Sequence, residues 1–216
     1  MSGTSHGVAV VVFDIGRVLL RICDDWQHAC RVAGVSPPAA GAVPPASEMD
    51  RIVHDYDTGV IDLENFATQM ERLSGMPAAD VIKLQSCYLL GAYPGVADLL
   101  DDLARAGVRT ACLSNTADQH WRMMQDRSSP HYLPLDRLDH RFASHLVGMR
   151  KPDGRIYAHA ERETGAAGGE IVFFDDVEEN VAAALRRGWR AHRIDPAPND
   201  PLPQVRRFLR LQGLSL

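Results

Sequence analysis

The sequence predicts an α/β protein built around a parallel β-sheet, and two observations support this fold class. Continuous apolar runs at residues 8–13 and 171–174 are typical of strands that are buried on both faces. Between and after these runs, apolar residues recur at helical spacing, as at residues 96–107 and 180–188. This alternation of strands and helices indicates a parallel sheet with helices packed on it.

The expected sheet has five strands, at residues 8–13, 108–113, 142–147, 171–174 and 190–194. Two of the helical patterns end at Gly107 and Gly188, and glycine is common just beyond the last helical turn. Binding sites in parallel sheets form beyond the carboxyl ends of the strands. Asp14, Ser114 and Asp175 each follow a predicted strand, so we expect them at one edge of the sheet.

Residues 21–91 interrupt the sheet pattern between its first two strands. We predict no strand in this insert, and helices at residues 26–33, 48–56, 63–74 and 78–90. An ordinary crossover needs only about a dozen residues, so the length of the insert favours a lid over the site. The expected division is a core domain of residues 1–20 and 92–216 and a helical cap domain of residues 21–91.

Composition restricts the class of protein. The chain has 216 residues, of which 45% are hydrophobic, and a formal net charge of -5. It is long enough for one large core or for a core with a small accessory domain. The acidic balance argues against a nucleic-acid partner, because such proteins usually carry a basic stripe. The run at residues 8–13 is too short for a signal peptide or a membrane span, so a cytoplasmic protein is expected.

The cysteines also favour a cytoplasmic protein. None of the four is spaced as Cys-x-x-Cys, so reduced thiols are favoured over disulfides or a zinc site. Nothing in the sequence indicates an oligomeric state.

Acidic residues end two of the predicted strands: Asp14 after the first, and Asp175 with Asp176 after the fourth. Acids that are packed together need a cation or a shared proton, and a site with only oxygen ligands suits Mg2+. Taken singly, each acid has a simpler interpretation as the cap of a turn or of the following helix. Lys151 alone could equally be a solvated loop residue.

The order of these features narrows the interpretation. The chain resembles the haloacid dehalogenase-like hydrolase superfamily in the order of five features. These are Asp14 after a strand, a helical insert, Ser114-Asn115 after a strand, Lys151-Pro152 before a helix, and Asp175-Asp176 after a strand. The resemblance covers nearly the whole chain. It implies a Rossmann-like sheet core with strand order 5-4-1-2-3 and an inserted α-helical cap.

Smaller motifs agree with the helical-cap branch of this superfamily. Residues 56–66 are similar to its cap, and residues 93–96 and 173–180 are similar to parts of its core. The opening Asp-x-Gly-x-Val at residues 14–18 resembles a group that includes α-glucose-1-phosphatase-like and epoxide-hydrolase N-terminal-like proteins.

The resemblance implies a Mg2+-dependent phosphatase that acts on a small phosphorylated metabolite, with a sugar phosphate as one candidate. Asp14 would be the nucleophile and would form an aspartyl-phosphate. Asp14, Asp176 and the main-chain carbonyl of Gly16 would bind the metal, and Asp175 would hold a metal-bound water.

The same resemblance assigns residues to the phosphate. Ser114 would donate a hydrogen bond to the phosphoryl oxygens, together with the backbone amides of Asn115 and Thr116 at a helix start. Lys151 would pair with Asp14 and the phosphate and so prevent their mutual repulsion.

Gly16 departs from the family pattern, because most phosphatases of the superfamily have a second aspartate there as general acid and base. A positioned acid or base typically contributes ~100- to 10,000-fold in rate. Three interpretations follow: a substrate with a good leaving group, an acid supplied by the cap, or a phosphate-binding protein with weak or no turnover. The cap candidates are Asp24, Asp25, His28, His54 and Asp57.

Two further alternatives stay open. Arg17 replaces a small residue of the family pattern and either reaches the phosphate or substrate or forms a salt bridge to Asp24, Asp25 or another cap acid. A metal-free 2-haloacid dehalogenase also lacks the second aspartate. The paired acids Asp175 and Asp176 argue against it, because halide displacement needs no cation.

Overall fold

The computed structural model describes residues 7–38, 46–197 and 200–215. In chain order its strands are β1 Val10–Phe13, β2 Leu20–Ile22, β3 Leu89–Ala92, β4 Arg109–Ser114, β5 His140–Ala143, β6 Ile171–Asp175 and β7 Arg190–Arg193. Its helices are α1 Trp26–Ala33, α2 Ala46–Asp57, α3 Leu63–Ser74, α4 Ala78–Cys87, α5 Val96–Arg105, α6 Asp118–Gln125, α7 Ser144–Val147, α8 Gly154–Thr164, α9 Glu178–Arg186 and α10 Leu202–Leu211. No helix among the described residues is both long and apolar enough to cross a bilayer.

Five strands form one sheet in the order β5-β4-β1-β6-β7, and every neighbouring pair is parallel. When only these five strands are numbered along the chain and the sheet is read from the β7 edge, the order is 5-4-1-2-3. The α/β fold class is therefore confirmed. β1 occupies the centre, with β4 on one side and β6 on the other.

The central position of β1 explains why its sequence is a continuous apolar run. Val11 and Phe13 pack into the apolar cluster that also holds side chains of α5, α6 and α10. Val10 and Val12 pack into a second cluster with α8 and α9. Because successive side chains of a strand point to opposite faces, a strand covered on both faces needs apolar residues at every position.

Helices α1 to α4 form a separate helical segment with its own apolar cluster, which includes Ile52, Phe66, Met70 and Leu84. Two of its predicted helices, at residues 26–33 and 63–74, have the observed bounds. The predicted helix at residues 48–56 lies inside the longer α2. The fourth, predicted for residues 78–90, ends earlier because α4 stops at Cys87.

The prediction that residues 21–91 contain no strand is wrong. β2 and β3 pair antiparallel, with Leu20 opposite Ala92 and Arg21 opposite Gly91. Each strand has only three or four residues, which is too short for a period-two pattern to be recognised. The two partners are also separated in the chain by the whole helical segment.

The predicted strand at residues 142–147 is also wrong for its last four residues. β5 ends at Ala143, and Ser144–Val147 forms the short helix α7. Short apolar runs fit a strand or a buried helical turn equally well. The buried hydroxyl of Ser144 accepts a hydrogen bond from the amide of Thr116, a tertiary contact that the sequence pattern does not reveal.

Candidate active site

Three carboxylates meet at the carboxyl edge of the sheet. Asp14 follows β1, Asp175 is the last residue of β6 and Asp176 comes next. Because β1 and β6 are parallel neighbours with Phe13 opposite Phe174, the residues after them lie side by side. One oxygen from each acid lies within 4.8 Å of the others. The predicted acid cluster is therefore present in the structure.

Lys151 joins two of these acids. Its Nζ lies 2.8 Å from Asp14 Oδ1 and 2.6 Å from Asp175 Oδ2, and its side chain is only 1% exposed. The backbone of Lys151 is fixed by Asn115, whose Nδ2 donates to the Lys151 carbonyl at 2.9 Å and whose Oδ1 accepts from the Lys151 amide at 2.8 Å. The side chain of Asn115 thus positions the lysine, a role that the sequence did not suggest.

Asp175 is fully buried and receives several donors. Besides Lys151, the Asn180 side chain donates to its oxygens at 3.1 Å, and the Val177 amide donates to Oδ1 at 2.9 Å. These bonds occupy much of the acceptor capacity of the carboxylate. Asp175 therefore orients Lys151, while Asp14 and Asp176 are better placed to bind a cation directly.

Burial and mutual repulsion weaken the acidity of the cluster. Burial is the largest cause that raises the pKa of Asp14 to about 7; Lys151 opposes this shift, while Asp175 and Asp176 add to it. Burial, and then Asp175, raise the pKa of Asp176 against the opposing effect of Arg17 and Lys151. Burial alone would lower the pKa of Lys151, but the carboxylates of Asp14 and Asp175 outweigh it and raise that pKa.

This donor set fits Mg2+. It consists of carboxylate and carbonyl oxygens, which are the ligands that Mg2+ prefers, and its crowded negative charge would be relieved by a divalent cation.

The turn after β1 exposes the backbone at Gly16. The Ile15 carbonyl accepts hydrogen bonds from the Leu19 and Leu20 amides at 2.9 Å, and the Arg17 amide donates to the Leu20 carbonyl at 2.7 Å. These bonds do not use the Gly16 carbonyl, which supports its predicted place among the metal ligands. A Cβ at Gly16 would lie 3.2 Å from Ile22 Cδ1, so Ile22 stands close to where a side chain at this position would begin.

Arg17 bridges the turn and the acid cluster. Its Nη2 donates to the Asp24 carbonyl at 2.7 Å and lies 3.9 Å from Asp24 Oδ1, while its Nη1 lies 3.5 Å from Asp176 Oδ2. Its φ is +57°, in the left-handed region. The guanidinium is therefore held beside a candidate metal ligand by the loop that precedes α1.

The phosphate residues are only partly arranged as expected. Ser114 is buried and is the last residue of β4, the parallel neighbour of the strand that Asp14 follows. The Thr116 amide, however, donates to Ser144 Oγ at 2.9 Å. The prediction that this amide binds the phosphate is therefore wrong. The Ser144 hydroxyl also lies within hydrogen-bond distance of the Thr116 and Asp57 carbonyls, which links the loop after β4 to the end of α2.

A cavity of about 320 Å³ lies between the helical segment and the loop after β4. Asn115 and Thr116 line it on the sheet side. Of the five acid or base candidates in the insert, Asp25 and Asp57 line it; the Asp25 side chain already accepts the His28 amide at 2.6 Å. A larger cleft of about 570 Å³ is lined by residues of the α2–α3 turn, α3 and α6, and its lining does not include the acid cluster.

Asp57 is the more deeply placed of the two. Burial raises its pKa to about 6, against the opposing charges of Arg150 and His54. Arg150 Nη1 lies 3.4 Å from its Oδ2.

Comparison with known proteins identifies the family. The family described as haloacid dehalogenase-like hydrolase matches residues 10–188, so the chain belongs to it and is an enzyme of the hydrolase class. Phosphatase MT3486 of Mycobacterium tuberculosis is 26% identical over 206 residues, which are 87% of this chain and 88% of that protein. Sesquiterpene phosphatase astK of Aspergillus oryzae is 29% identical over 135 residues, 62% of this chain and 67% of that protein.

A third relative represents a different reaction. (S)-2-haloacid dehalogenase 4A of Burkholderia cepacia is 32% identical over 121 residues, 55% of this chain and 50% of that protein.

Solved structures show the same fold. A predicted HAD-like family hydrolase from Porphyromonas gingivalis superposes with a TM-score of 0.74 at 26% identity, covering 94% of this chain and 98% of its own. The HAD family enzyme bt-2542 from Bacteroides thetaiotaomicron, solved with magnesium and inorganic phosphate, gives 0.69 at 20% identity, covering 88% and 96%. At this identity the second likeness concerns the fold alone.

Proposed function

We propose that this protein is a Mg2+-dependent phosphatase that hydrolyses a small phosphorylated metabolite through a phospho-enzyme on Asp14. The observation that carries the proposal is the convergence of Asp14, Asp175 and Asp176 around the buried Lys151. Two relatives are named as phosphatases, and a protein of the same fold was solved with magnesium and phosphate. These comparisons support the proposal without naming the substrate.

In the proposed reaction, an oxygen of Asp14 attacks phosphorus as the bond from phosphorus to the ester oxygen breaks. The leaving oxygen takes up a proton and departs as an alcohol. Water then attacks phosphorus, releases inorganic phosphate and restores the Asp14 carboxylate. Lys151 offsets the negative charge that builds up between Asp14 and the phosphoryl group, and Ser114 donates a hydrogen bond to a phosphoryl oxygen.

Mg2+, held by Asp14, Asp176 and the Gly16 carbonyl, would supply the charge neutralisation that an anionic nucleophile and an anionic substrate require. Asp175 keeps Lys151 in place through the 2.6 Å ion pair. Asn115 completes the positioning of Lys151 from the loop after β4.

Asp57 is the residue that we propose as proton donor in place of the aspartate that Gly16 lacks. It lines the cavity, and its raised pKa of about 6 keeps part of it protonated near neutral pH. Asp57→Asn should reduce turnover of an alkyl phosphate by ~100-fold or more. It should affect acetyl phosphate far less, because that leaving group needs no proton. Asp55→Asn, on the same helix, is the control; equal losses on both substrates would remove Asp57 from this role.

Two other functions remain to be separated from this one. A phosphate-binding protein with weak turnover would bind phosphate in Mg2+ but release little from any ester. A 2-haloacid dehalogenase is suggested by the 32% identical relative, but it does not need the paired acids Asp175 and Asp176. A sugar phosphate stays a candidate substrate on the sequence resemblance.

The deciding experiment measures phosphate release from acetyl phosphate, aryl phosphates, alkyl phosphates and sugar phosphates, with Mg2+ and with chelator. Release is expected only with Mg2+, and Asp14→Asn should abolish it, whereas Asp98→Asn, an exposed acid of α5, should not. Chloride release from 2-chloropropionate without metal would favour the dehalogenase instead. Turnover that survives in Asp14→Asn would reject the covalent mechanism.

The helical segment completes the proposal. We propose that residues 21–91 form a cap domain over a core of residues 1–20 and 92–216, because the cavity lies between them. Residues 39–45 of this cap and residues 1–6, 198–199 and 216 of this core lie outside the described ranges. All four cysteines are free thiols, which is consistent with work in a reducing compartment such as the cytoplasm.

A further inference from the structure

The cavity of about 320 Å³ between the helical segment and the loop after β4 has mainly apolar walls. Most of its lining residues are aliphatic or aromatic, and those from the helical segment include Trp26, Met49, Val53, Phe66, Met70 and Leu84. Phe66, Met70 and Leu84 are each at most 2% exposed. A ligand in this cavity would therefore meet mostly hydrocarbon on the side of the helical segment, where Asp25, Asp57 and Gln85 also line the cavity.

Several polar groups of the walls already have partners. The Tyr56 hydroxyl donates to Gln119 Oε1 at 3.4 Å, and His120 Nε2 lies 2.8 Å from the Gln85 carbonyl. The Asn115 side chain is taken up by the Lys151 backbone. A hydroxyl-rich organic group bound here would lose its hydrogen bonds to water and would gain few from the cavity walls, which is unfavourable.

Residues that follow the predicted phosphate site in the chain line the cavity, although Asp14, Ser114 and Lys151 are not themselves part of its lining. Asn115 and Thr116, which line it, directly follow Ser114 in the chain. Ile22, also in the lining, lies against the turn at Gly16, two residues after the nucleophile. A phosphoryl group between Asp14 and Ser114 would thus direct its ester substituent toward the apolar walls.

We propose that the preferred substrates are phosphate monoesters whose organic part is a hydrocarbon chain or ring system, held in this cavity, rather than sugar phosphates. This inference rests on the proposed phosphatase function and specifies its substrate class. The volume of about 320 Å³ equals the liquid volume of about ten water molecules at ~30 Å³ each, so it accepts a body of about ten carbon atoms.

The test is a chain-length series on the full-length protein with Mg2+. Acetyl phosphate measures the rate of phosphoryl transfer without a contribution from the cavity. Ethyl, butyl, hexyl and decyl phosphate measure how the rate depends on the length of a hydrocarbon chain in the cavity. Glucose 6-phosphate and glucose 1-phosphate are the substrates with a polar organic part. Each added methylene should raise kcat/KM by about fourfold until the cavity is filled. Hexyl phosphate should therefore exceed ethyl phosphate by on the order of a hundredfold. A flat series, or faster turnover of either glucose phosphate than of hexyl phosphate, would overturn the inference.

The two proposals fail in different ways. Asp14-dependent hydrolysis of acetyl phosphate with a flat alkyl series would leave the phosphatase standing and reject the apolar substrate class. If no ester is hydrolysed, the phosphatase fails, and calorimetric binding of the same alkyl phosphates to Asp14→Asn still decides the cavity. Affinity must then rise with chain length, and affinity independent of length would reject the inference.

Filling variants locate the effect. Val53→Phe on α2 adds bulk at a half-buried lining position and should lower the ratio of kcat/KM for decyl phosphate to that for acetyl phosphate on the order of tenfold. Met49→Trp is a second filling variant on the same helix, in case the first does not fold. Val32→Phe, on α1 at a position that is 44% exposed and outside the lining, should leave the ratio unchanged. An equal change in Val32→Phe would reject the cavity as the cause.

Discussion

The positively charged side chain of Lys151 is almost completely buried. Its residue type alone predicts a surface position, since lysine is rarely buried without a partner; only the order of motifs along the chain suggested its role. The two acids that pair with it end adjacent strands, which the sequence did predict. The clamp by Asn115, 36 residues away in the chain, could not be predicted because it exists only once the two loops meet in the fold.

Lys151→Met should destabilise the protein strongly, because it leaves two buried carboxylates without their cation. We expect a loss of ~3–5 kcal/mol in the free energy of unfolding at pH 8, measured by urea denaturation with chelator present. Lys83→Met, at an exposed position of α4, should change it by less than ~0.5 kcal/mol.

The loss should be smaller at pH 5. Burial raises the pKa of Asp14 from 3.8 to about 7, so the folded state binds this proton more tightly than the unfolded state does. The stabilising effect of that proton is present at low pH and is lost as the pH rises toward 7. A protonated Asp14 needs no cationic partner, and an equal loss at pH 5 and pH 8 would contradict this explanation.

Arg17 provides a second prediction at the residue scale. A left-handed backbone at φ +57° costs a residue with a Cβ roughly 1–2 kcal/mol, and glycine avoids this cost at some expense in chain entropy. Arg17→Gly and Arg17→Ala both remove the guanidinium and differ only in the methyl group. Arg17→Gly should therefore be the more stable by ~1 kcal/mol in urea denaturation. If Arg17→Ala is equally stable, the strain at this turn is not significant.

At the scale of elements, local caps explain which helices could be predicted. α1 is capped by the preceding Asp25, whose side chain accepts the His28 amide, and is followed by Gly34 at φ +63°. α3 is capped by the preceding Asp62, whose side chain accepts the Asn65 amide, and is followed by Gly75 at φ +73°. These signals lie within the helix ends themselves. β2 and β3 carry no such local signal, because their formation depends on partners distant in the chain. α7 is followed by Gly148 at φ +67° but has no side-chain cap at its start.

The turn between α2 and α3 packs closely on α7. A Cβ at Gly59 would lie 2.8 Å from the His145 carbonyl oxygen, and the φ of Gly59 is +74°. Gly75 has a similar φ of +73°, but a Cβ added there would meet no atom within 4 Å. The same substitution at these two glycines therefore distinguishes the effect of backbone strain from the effect of steric contact.

Gly59→Ala should destabilise the protein more than Gly75→Ala does, by at least ~1 kcal/mol, because only the first adds a clash with backbone that cannot rotate away. Thermal and urea unfolding of both variants measure the difference. Equal effects would mean that the turn can move away from α7 without loss.

For the molecule as a whole, the charge of the site predicts how it responds to metal. Above pH 7, where Asp14 is mostly ionised, three carboxylates face Lys151 and Arg17, so one negative charge remains in excess and would repel a phosphate dianion. A divalent cation reverses this sign. The sequence predicted the acids and their cation. It could not predict that Arg17 would approach Asp176, which requires the fold of the loop before α1.

Mg2+ should therefore stabilise the folded protein, by ~2.7 kcal/mol at a free concentration of one hundred times its dissociation constant. The measurement is the unfolding midpoint in MgCl2 against chelator. Asp176→Asn should remove most of this gain, while Glu163→Gln, at an exposed position of α8, should retain it. No dependence on Mg2+ in the wild type would refute the assignment of a cation to this site.

The pairing of β2 with β3 has a consequence for how the two halves of the molecule move. The chain leaves the sheet region through β2 and returns through β3, and backbone bonds from the Cys23 amide to the Tyr88 carbonyl at 2.9 Å and from the Tyr93 amide to the Leu19 carbonyl at 3.0 Å extend the ribbon at both ends. The helical segment is therefore joined to the sheet region by one hydrogen-bonded ribbon rather than by two independent connections. Any displacement of these helices relative to the sheet must bend this ribbon or break its hydrogen bonds.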